Sequence, residues 1–201
     1  MNRSTGMRGL LTAGLNKLRN QTDTIPVTGS RQATVLAVSA QKGGVGKTTT
    51  AVNLGCALAQ DAEMRVLIID IDSQGHVASS LRDNLRPGRT SLSEILLEER
   101  RDVMDAVVDT GIPNLHMTKP DKSLAETEAQ LSSRVGREYI LKSALVNARS
   151  HFDIIIIDCP PNLGNLTLNA LVAADQVLVP CDMSILAFEG VADLLGTVQT
   201  V

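Results

Sequence analysis

Short apolar runs separated by longer mixed segments dominate the pattern of this 201-residue chain. Four runs rich in Val, Ile and Leu predict buried strands at Thr34–Ser39, Arg65–Asp72, Phe152–Asp158 and Gln176–Pro180. Helices are predicted at 50–60, at 165–174 and from about Leu186. Continuous apolar strands that alternate with helices indicate an α/β fold with a mainly parallel sheet flanked by helices.

The segment from about residue 82 to residue 150 is the least distinctive part of the chain. Two Ser-x-x-Glu sequences, beginning at Ser91 and Ser123, have the spacing of a capping box and predict two helix starts. A short strand is predicted at Asn114–Thr118. A single helix with one apolar face is predicted over Arg137–Arg149.

The candidate chemistry begins in a glycine-rich loop after the first predicted strand. Its residues are Lys42, Gly43, Gly44, Val45, Gly46, Lys47, Thr48 and Thr49. Glycines let the backbone turn its N–H groups towards phosphate oxygens, and the N-terminus of the following helix adds to the attraction. Lys47 would reach the β- and γ-phosphates, and the Thr48 hydroxyl would ligate Mg²⁺. A turn without a ligand is the alternative, but it requires neither two lysines nor two threonines, so the loop predicts nucleotide binding.

Carboxylates end two of the other predicted strands. Asp70 and Asp72 close the second run, and Asp158 closes the third. Parallel α/β sheets bind ligands at the carboxyl ends of their strands. An aspartate at a strand end also begins turns, which would explain any one of the three alone. Three of them beside a phosphate loop favour a nucleotide and metal site.

The sequence Lys-Gly-Gly-Val-Gly-Lys-Thr-Thr at residues 42–49 resembles the deviant Walker A loop of the ParA/MinD group of partition and positioning ATPases, and within it the ParA/Soj group. The usual G-x-x-x-x-G-K-[ST] pattern would begin at Gln41, so the chain departs from it. The resemblance extends from Val35 to the end, with patchy agreement at 83–150. It implies a three-layer P-loop NTPase fold.

The resemblance also implies roles for individual residues. Lys42 would cross a dimer interface to the phosphates held by the partner subunit, and Asp72 would position the attacking water. Asp158 matches the Walker B position and would hold Mg²⁺ through water, with Asp70 supporting the metal shell or the strand end. The pair Pro160–Pro161 stiffens a switch loop that would read the γ-phosphate.

Two departures and the length of the chain qualify the resemblance. The family sequence D-x-D-P-Q-G-N is changed at Ser73 and His76, which leaves the carboxylates intact, so catalysis is expected to survive. Chains of this group usually continue past the equivalent of Val201 with strands and helices that complete the sheet and bind DNA. The domain is therefore expected to be incomplete at its C-terminus.

Residues 1–33 are predicted to form an extension before an ATPase domain at 34–201. The extension has five basic residues and one acidic residue, namely Arg3, Arg8, Lys17, Arg19 and Arg31 against Asp23. Apolar residues recur at helical spacing at Met7, Leu10, Leu11, Leu15 and Leu18. A basic amphipathic helix over 7–19 suits a partner groove, DNA phosphates or an anionic membrane. Because the stripe is short and lacks Trp and Phe, a flexible or partner-binding tail is favoured over a membrane anchor.

Composition adds little to this picture. Aromatic residues make up 1% of the chain, so its core must consist of aliphatic side chains. The cysteines Cys56, Cys159 and Cys181 form no C-x-x-C pair and are predicted to be reduced, buried thiols. The sequence shows no run that could span a membrane and no secretory signal. The expected location is the cytoplasm, in association with the nucleoid.

The residues and the resemblance together predict an ATP-dependent dimerisation switch with slow, Mg²⁺-dependent ATP hydrolysis. The predicted process is plasmid or chromosome partition. The expected cofactors are ATP or ADP and Mg²⁺. The expected partners are a second copy of the chain and a ParB-like activator. Nonspecific DNA is expected as a partner of the full-length proteins of the family, and whether this chain binds it is left open. The alternatives are a membrane-associated, MinD-like or flagellar positioning ATPase and a nucleotide-regulated DNA-binding regulator. A metabolic synthetase is less favoured, because no substrate-pocket motif is visible.

Overall fold

The computed structural model describes residues 31–81, 90–98, 102–182 and 185–199. Within them the strands are β1 (Thr34–Val38), β2 (Val66–Asp70), β3 (Val107–Asp109), β4 (Leu115–Thr118), β5 (Ile154–Asp158) and β6 (Gln176–Leu178). The α-helices are α1 (Lys47–Asp61), α2 (His76–Leu81), α3 (Leu92–Leu97), α4 (Leu124–Leu131), α5 (Ile140–Ala144), α6 (Ala148–His151), α7 (Asn165–Ala173) and α8 (Ile185–Val198). Two 3₁₀ turns lie at Val103–Ala106 and Arg137–Tyr139. The predicted amphipathic segment 7–19 lies outside the described residues.

The strands form one sheet in the order β3-β4-β2-β5-β1-β6. All neighbouring strands are parallel except β3 and β4, which are antiparallel. In the register of the three central strands, Asp158 lies opposite Val38 on one side and opposite Asp70 on the other. The carboxyl ends of β1, β2 and β5 therefore meet at one edge, and the predicted mainly parallel sheet is confirmed.

The core lies where β2 and β5 are covered on both faces. Every residue of these two strands is buried, including the run Ile154–Ile157. Each buried isoleucine contributes about 1.5–3 kcal/mol relative to an exposed one. Helix α1 packs closely on this layer at Gly55, where an added Cβ would lie 2.8 Å from Ile68 Cδ1. This close contact fixes the position of α1, and with it the loop that precedes the helix.

Arg149 connects segments at the amino-terminal ends of the strands. Its guanidinium donates hydrogen bonds to the carbonyl oxygens of Ala33 and Ala173 and pairs with Asp175 at 2.9 Å. Asp175 in turn accepts a hydrogen bond from the backbone N–H of Val35. The start of β1 is thereby joined to the segment between α7 and β6.

The prediction of one continuous helix over Arg137–Arg149 is wrong. The segment contains a 3₁₀ turn, then α5, and then α6, with turn residues at 145–147. The predicted apolar face nevertheless packs on the core, since Leu141 and Leu145 are fully buried. Short helical pieces satisfy this packing because hydrophobic spacing fixes which side chains face inward and leaves the helix boundaries open.

The two predicted capping boxes differ in outcome. At Ser91 the side chain accepts a hydrogen bond from the Glu94 N–H, and the Glu94 carboxylate accepts one from the Ser91 N–H, so the box is confirmed. At Ser123 the side chain makes no cap hydrogen bond, although α4 does begin at the next residue. There the Asp121 carboxylate accepts the Ser123 N–H, which the Glu126 side chain would accept in the predicted box.

A groove of about 930 Å³ lies between α3 and the segment around α5. Its rim includes Val135, Val146 and Tyr139, whose exposures are 104%, 71% and 51%. None of the predicted site residues lines this groove. The candidate site must therefore be sought at the carboxyl edge of the sheet.

Candidate nucleotide-binding site

The loop between β1 and α1 has the backbone of a phosphate-binding turn. Gly44 and Gly46 have φ values of 76° and 91°, in the left-handed region that favours glycine. A Cβ added at either residue, or at Gly43, would meet nothing within 4 Å, so the space beside the loop is open. Gly46 makes no side-chain cap hydrogen bond, and the first turn of α1 contains no acidic residue. The N–H groups of this first turn are therefore available to an anion.

Lys47 is the buried cation of the loop. Only 8% of the residue is exposed, and its Nζ donates a hydrogen bond to the Lys42 carbonyl oxygen at 3.2 Å. Burial lowers the pKa of Lys47, whereas the negative charges of Asp158 and Asp72 act in the opposite direction. A buried ammonium beside open space and helix N–H groups suits a polyanionic ligand.

Thr48 and Asp158 form the second part of the site. The Thr48 hydroxyl donates a hydrogen bond to Asp158 Oδ2 at 2.7 Å. Asp158 is 1% exposed, and its Oδ1 is buried without a hydrogen-bond partner among the described residues. Burial, and next the charge of Asp72, raise the pKa of Asp158 to about 6, although the Thr48 hydrogen bond opposes this.

These two side chains fit Mg²⁺. An orphaned carboxylate oxygen beside a hydroxyl oxygen matches the preference of Mg²⁺ for oxygen ligands, and the ion usually keeps several waters and uses substrate phosphates. In the described part of the chain, no group of three or more His, Cys, Asp or Glu side chains could hold a metal ion. Mg²⁺ would therefore depend on Thr48, Asp158 and the nucleotide together.

Asp70 organises the chain between β2 and α2. Its two carboxylate oxygens accept the N–H groups of Asp72 at 3.1 Å and Val77 at 3.2 Å. Burial and the nearby charge of Asp158 raise its pKa to about 7. These hydrogen bonds explain why an aspartate lies at the end of β2. The predicted role of Asp70 in supporting the metal shell stays a prediction.

Asp72 is half-buried in the turn that follows β2. Its Oδ1 accepts the Gln74 N–H at 3.0 Å, and its carbonyl oxygen accepts the Gly75 N–H at the same distance. Its charge influences the pKa values of both Lys47 and Asp158, which places it at the candidate site. Its predicted role towards the attacking water remains untested.

Lys42 lies at the outer side of the loop. Its Nζ is 2.6 Å from Asp182 Oδ2, and the two side chains are 37% and 46% exposed. The sequence pattern missed Asp182 as a site residue. Its place soon after the predicted strand Gln176–Pro180 was the available signal, because the other candidate carboxylates also follow strands.

The predicted switch loop follows β5 directly. Pro160 is buried and Pro161 is exposed. The Ile71 N–H donates a hydrogen bond to the Asp158 carbonyl oxygen at 3.2 Å, so the turn after β2 contacts the end of β5 next to these prolines. The geometry brings the loop to the site, and its response to a γ-phosphate stays a prediction.

The prediction of three buried thiols is correct only for Cys159. Cys56 is partly exposed and Cys181 is exposed. Cys159 follows Asp158, and burial raises the pKa of its thiol far above the ordinary value. The apolar sequence around Cys181 did not indicate its exposure, because it lies in the connection after an edge strand.

A glycine-rich loop between a central strand and a helix, faced by a Thr–Asp pair on a parallel sheet, defines the P-loop NTPase class. The family model described as "AAA domain" matches residues 33–201. The chain therefore belongs to the AAA domain family, and the predicted resemblance to the ParA/Soj group is confirmed by its similarity to members of that group.

Two curated relatives are similar over most of this chain. The chromosome partitioning protein ParA of Caulobacter vibrioides is 44% identical over 169 residues, which is 83% of this chain and 62% of that protein. The sporulation initiation inhibitor protein Soj of Bacillus subtilis is 43% identical over 167 residues, which is 83% of this chain and 65% of Soj. The chain thus spans less than two thirds of the length of either relative.

A solved structure has the same arrangement. Cobyrinic acid a,c-diamide synthase from Mycobacterium smegmatis with bound ADP and magnesium has a TM-score of 0.76 and 43% identity, covering 85% of this chain and 68% of that one. The same protein is also known with a bound ATP analogue and magnesium.

Among the helices of the described residues, none has the length and the apolar composition that a membrane span requires.

Proposed function

We propose that this chain is an ATP-dependent dimerisation switch that acts in plasmid or chromosome partition. The observation that carries the proposal is the contact of Thr48 with Asp158 at the end of β5, beside a phosphate loop that carries two lysines, Lys42 and Lys47. One lysine is enough to bind a nucleotide within one subunit. The second lysine supports a role across an interface, and the similarity to ParA and Soj supports partition.

The proposed binding step uses the Lys47 ammonium and the backbone N–H groups beside the open space at the phosphate loop. The Lys47 ammonium would leave the Lys42 carbonyl oxygen for the β- and γ-phosphates, while N–H groups of the loop and of α1 bind phosphate oxygens. Thr48 and Asp158 would hold Mg²⁺, which offsets phosphate charge. The neighbouring structures with ADP or an ATP analogue and magnesium support this cofactor set.

The proposed switching step couples two copies of the chain. Lys42 of one subunit would contact the phosphates bound by the other, so ATP favours the closed dimer. Asp72 would orient the water for slow hydrolysis, and the loop at Pro160–Pro161 would respond to loss of the γ-phosphate. A ParB-like activator is the proposed partner, in the cytoplasm at the nucleoid, and nonspecific DNA is the proposed partner of the full-length form of the family domain. We further propose that residues 1–33 are an accessory extension of an ATPase domain at 34–201.

The test is the oligomeric state measured by light scattering with ADP and with ATP, each with Mg²⁺. We expect the wild type to be monomeric with ADP and dimeric with ATP. Lys42→Ala should bind ATP and remain monomeric, whereas Lys122→Ala, which removes an exposed lysine outside the loop, should dimerise normally. Asp72→Ala should dimerise with ATP and stay dimeric, because it cannot hydrolyse the nucleotide. A Lys42→Ala dimer that forms with ATP would refute the proposed interface role.

A second candidate function rests on the similarity to cobyrinic acid a,c-diamide synthase. A synthase acting on cobyrinic acid would consume ATP in proportion to that substrate. The partition switch would hydrolyse ATP without it and would respond to DNA with an activator instead. ADP release with and without cobyrinic acid separates the two functions.

A further inference from the structure

The chain leaving β6 runs beside the phosphate loop. Strand β6 pairs with β1, with Leu178 opposite Val38, and the Ser39 N–H donates a hydrogen bond to the Leu178 carbonyl oxygen at 3.1 Å. The residues that follow each strand therefore start side by side. Asp182, four residues beyond Leu178, reaches Lys42 from this position.

The residues just before Asp182 lie close to the phosphate loop. Only about 10 Å³ of space remains between the loop at Gln41 and Lys42 and the connection at Val179 and Pro180. On the other side of this space, a Cβ added at Gly190 of α8 would lie 3.7 Å from Gln41 Cβ. Val179 and Pro180 thus lie next to the phosphate loop, and Gly190 of α8 approaches the same loop.

We propose that Asp182 is a positioning residue that holds the Lys42 ammonium within its own subunit until nucleotide phosphates compete for it. This inference rests on the proposed function, in which Lys42 acts across a dimer. The Nζ–Oδ2 distance of 2.6 Å is that of a direct ion pair, and both side chains are more than one third exposed. Exposed pairs of this kind are weak, so phosphates of higher charge can displace the carboxylate.

The pair therefore opposes dimerisation at low nucleotide concentration. In the free subunit, Lys42 is engaged with Asp182, so the cation needed by the partner is withheld. Binding of ATP to two subunits offers Lys42 a site with several negative charges, and the ion pair opens.

The first test measures ATP-dependent dimerisation as a function of ATP concentration. Asp182→Asn should lower the midpoint by about two- to fivefold, the range expected from losing one exposed ion pair. Asp182→Glu should restore the wild-type midpoint. Asp193→Asn, which neutralises an exposed carboxylate on α8, should not move it. In a Lys42→Ala background, which is expected to stay monomeric with ATP, Asp182→Asn should not restore dimerisation. An equal midpoint for Asp182→Asn and wild type would overturn the proposal.

The second test needs no nucleotide. The rate of Lys42 acylation by a small reagent, read by mass spectrometry, should rise about two- to fivefold in Asp182→Asn, because an ammonium bound to a carboxylate is less available. The acylation rate of Lys122 in the same sample is the internal control. An unchanged Lys42 rate would overturn the ion pair. A raised Lys42 rate in a chain that never dimerises with ATP would support the pair and refute the proposed switch.

Discussion

Replacing Asp158 with asparagine is expected to stabilise the nucleotide-free protein at neutral pH. The carboxyl group is almost fully buried, and its Oδ1 has no hydrogen-bond partner in the described part of the chain. Asparagine has a similar shape and no charge, and its oxygen can still accept the Thr48 hydroxyl. The substitution removes a buried negative charge whose proposed purpose is to hold a cation.

The size of the effect follows from the pKa of Asp158. That pKa is raised from 3.8 to about 6 in the folded chain, so ionisation above pH 6 costs the folded state up to about 3 kcal/mol. Between pH 4 and 6 the folded chain binds more protons than the unfolded chain, and its free energy of unfolding falls as pH rises. The asparagine variant does not lose this free energy of unfolding, because its side chain cannot ionise. Its melting temperature should exceed that of the wild type by at most about 6–12 °C at pH 8 and by little near pH 4.

Thermal unfolding followed by circular dichroism between pH 4 and pH 8 measures this difference. Asp193→Asn, which removes an exposed carboxylate, should track the wild type at every pH. With ATP present, Mg²⁺ should stabilise the wild type and leave Asp158→Asn unchanged. An increase in melting temperature for Asp158→Asn that is the same at pH 4 and pH 8 would refute the reasoning, since the stabilisation would then not come from the buried charge.

Three further substitutions test separate parts of the structure. Ser91→Ala should lower the free energy of unfolding by about 1 kcal/mol in urea, because it removes a formed capping box, whereas Ser123→Ala should be nearly neutral; equal losses would contradict this. Gly46→Ala should lower the free energy of unfolding in urea by about 1–2 kcal/mol, since φ is 91° at Gly46. A smaller decrease would argue against the left-handed turn. Cys181→Ser should remove the thiol that reacts fastest with Ellman's reagent, because Cys159 is buried; an unchanged fast phase would contradict the exposure of Cys181.

The sheet was predictable where strands are long and fully buried. The continuous apolar run before Asp158 predicted β5, and the strand-end carboxylates predicted that the carboxyl edges of β2 and β5 would meet. Strand β3 was not predicted, because Val107–Asp109 is only three residues long and pairs at the antiparallel edge. The break between α5 and α6 was also missed, since the apolar spacing continues through it.

The site was predictable as far as it is local in sequence. Lys47 and Thr48 could be placed because glycines, lysine and threonine at fixed spacing determine the phosphate loop. The partner of Lys42 could not be placed, because Asp182 lies 140 residues away along the chain. Their contact depends on β6 lying next to β1, which neither local spacing nor hydrophobic periodicity specifies.

Tyr139 has a practical consequence for work with this protein. The chain contains one tyrosine and no tryptophan, so its near-ultraviolet absorbance is weak. The Tyr139 side chain stands half-exposed at the rim of the groove beside α5, so its fluorescence reports on that groove and not on the phosphate loop. A bound adenine nucleotide would dominate the absorption spectrum, and its occupancy can be followed with almost no protein background.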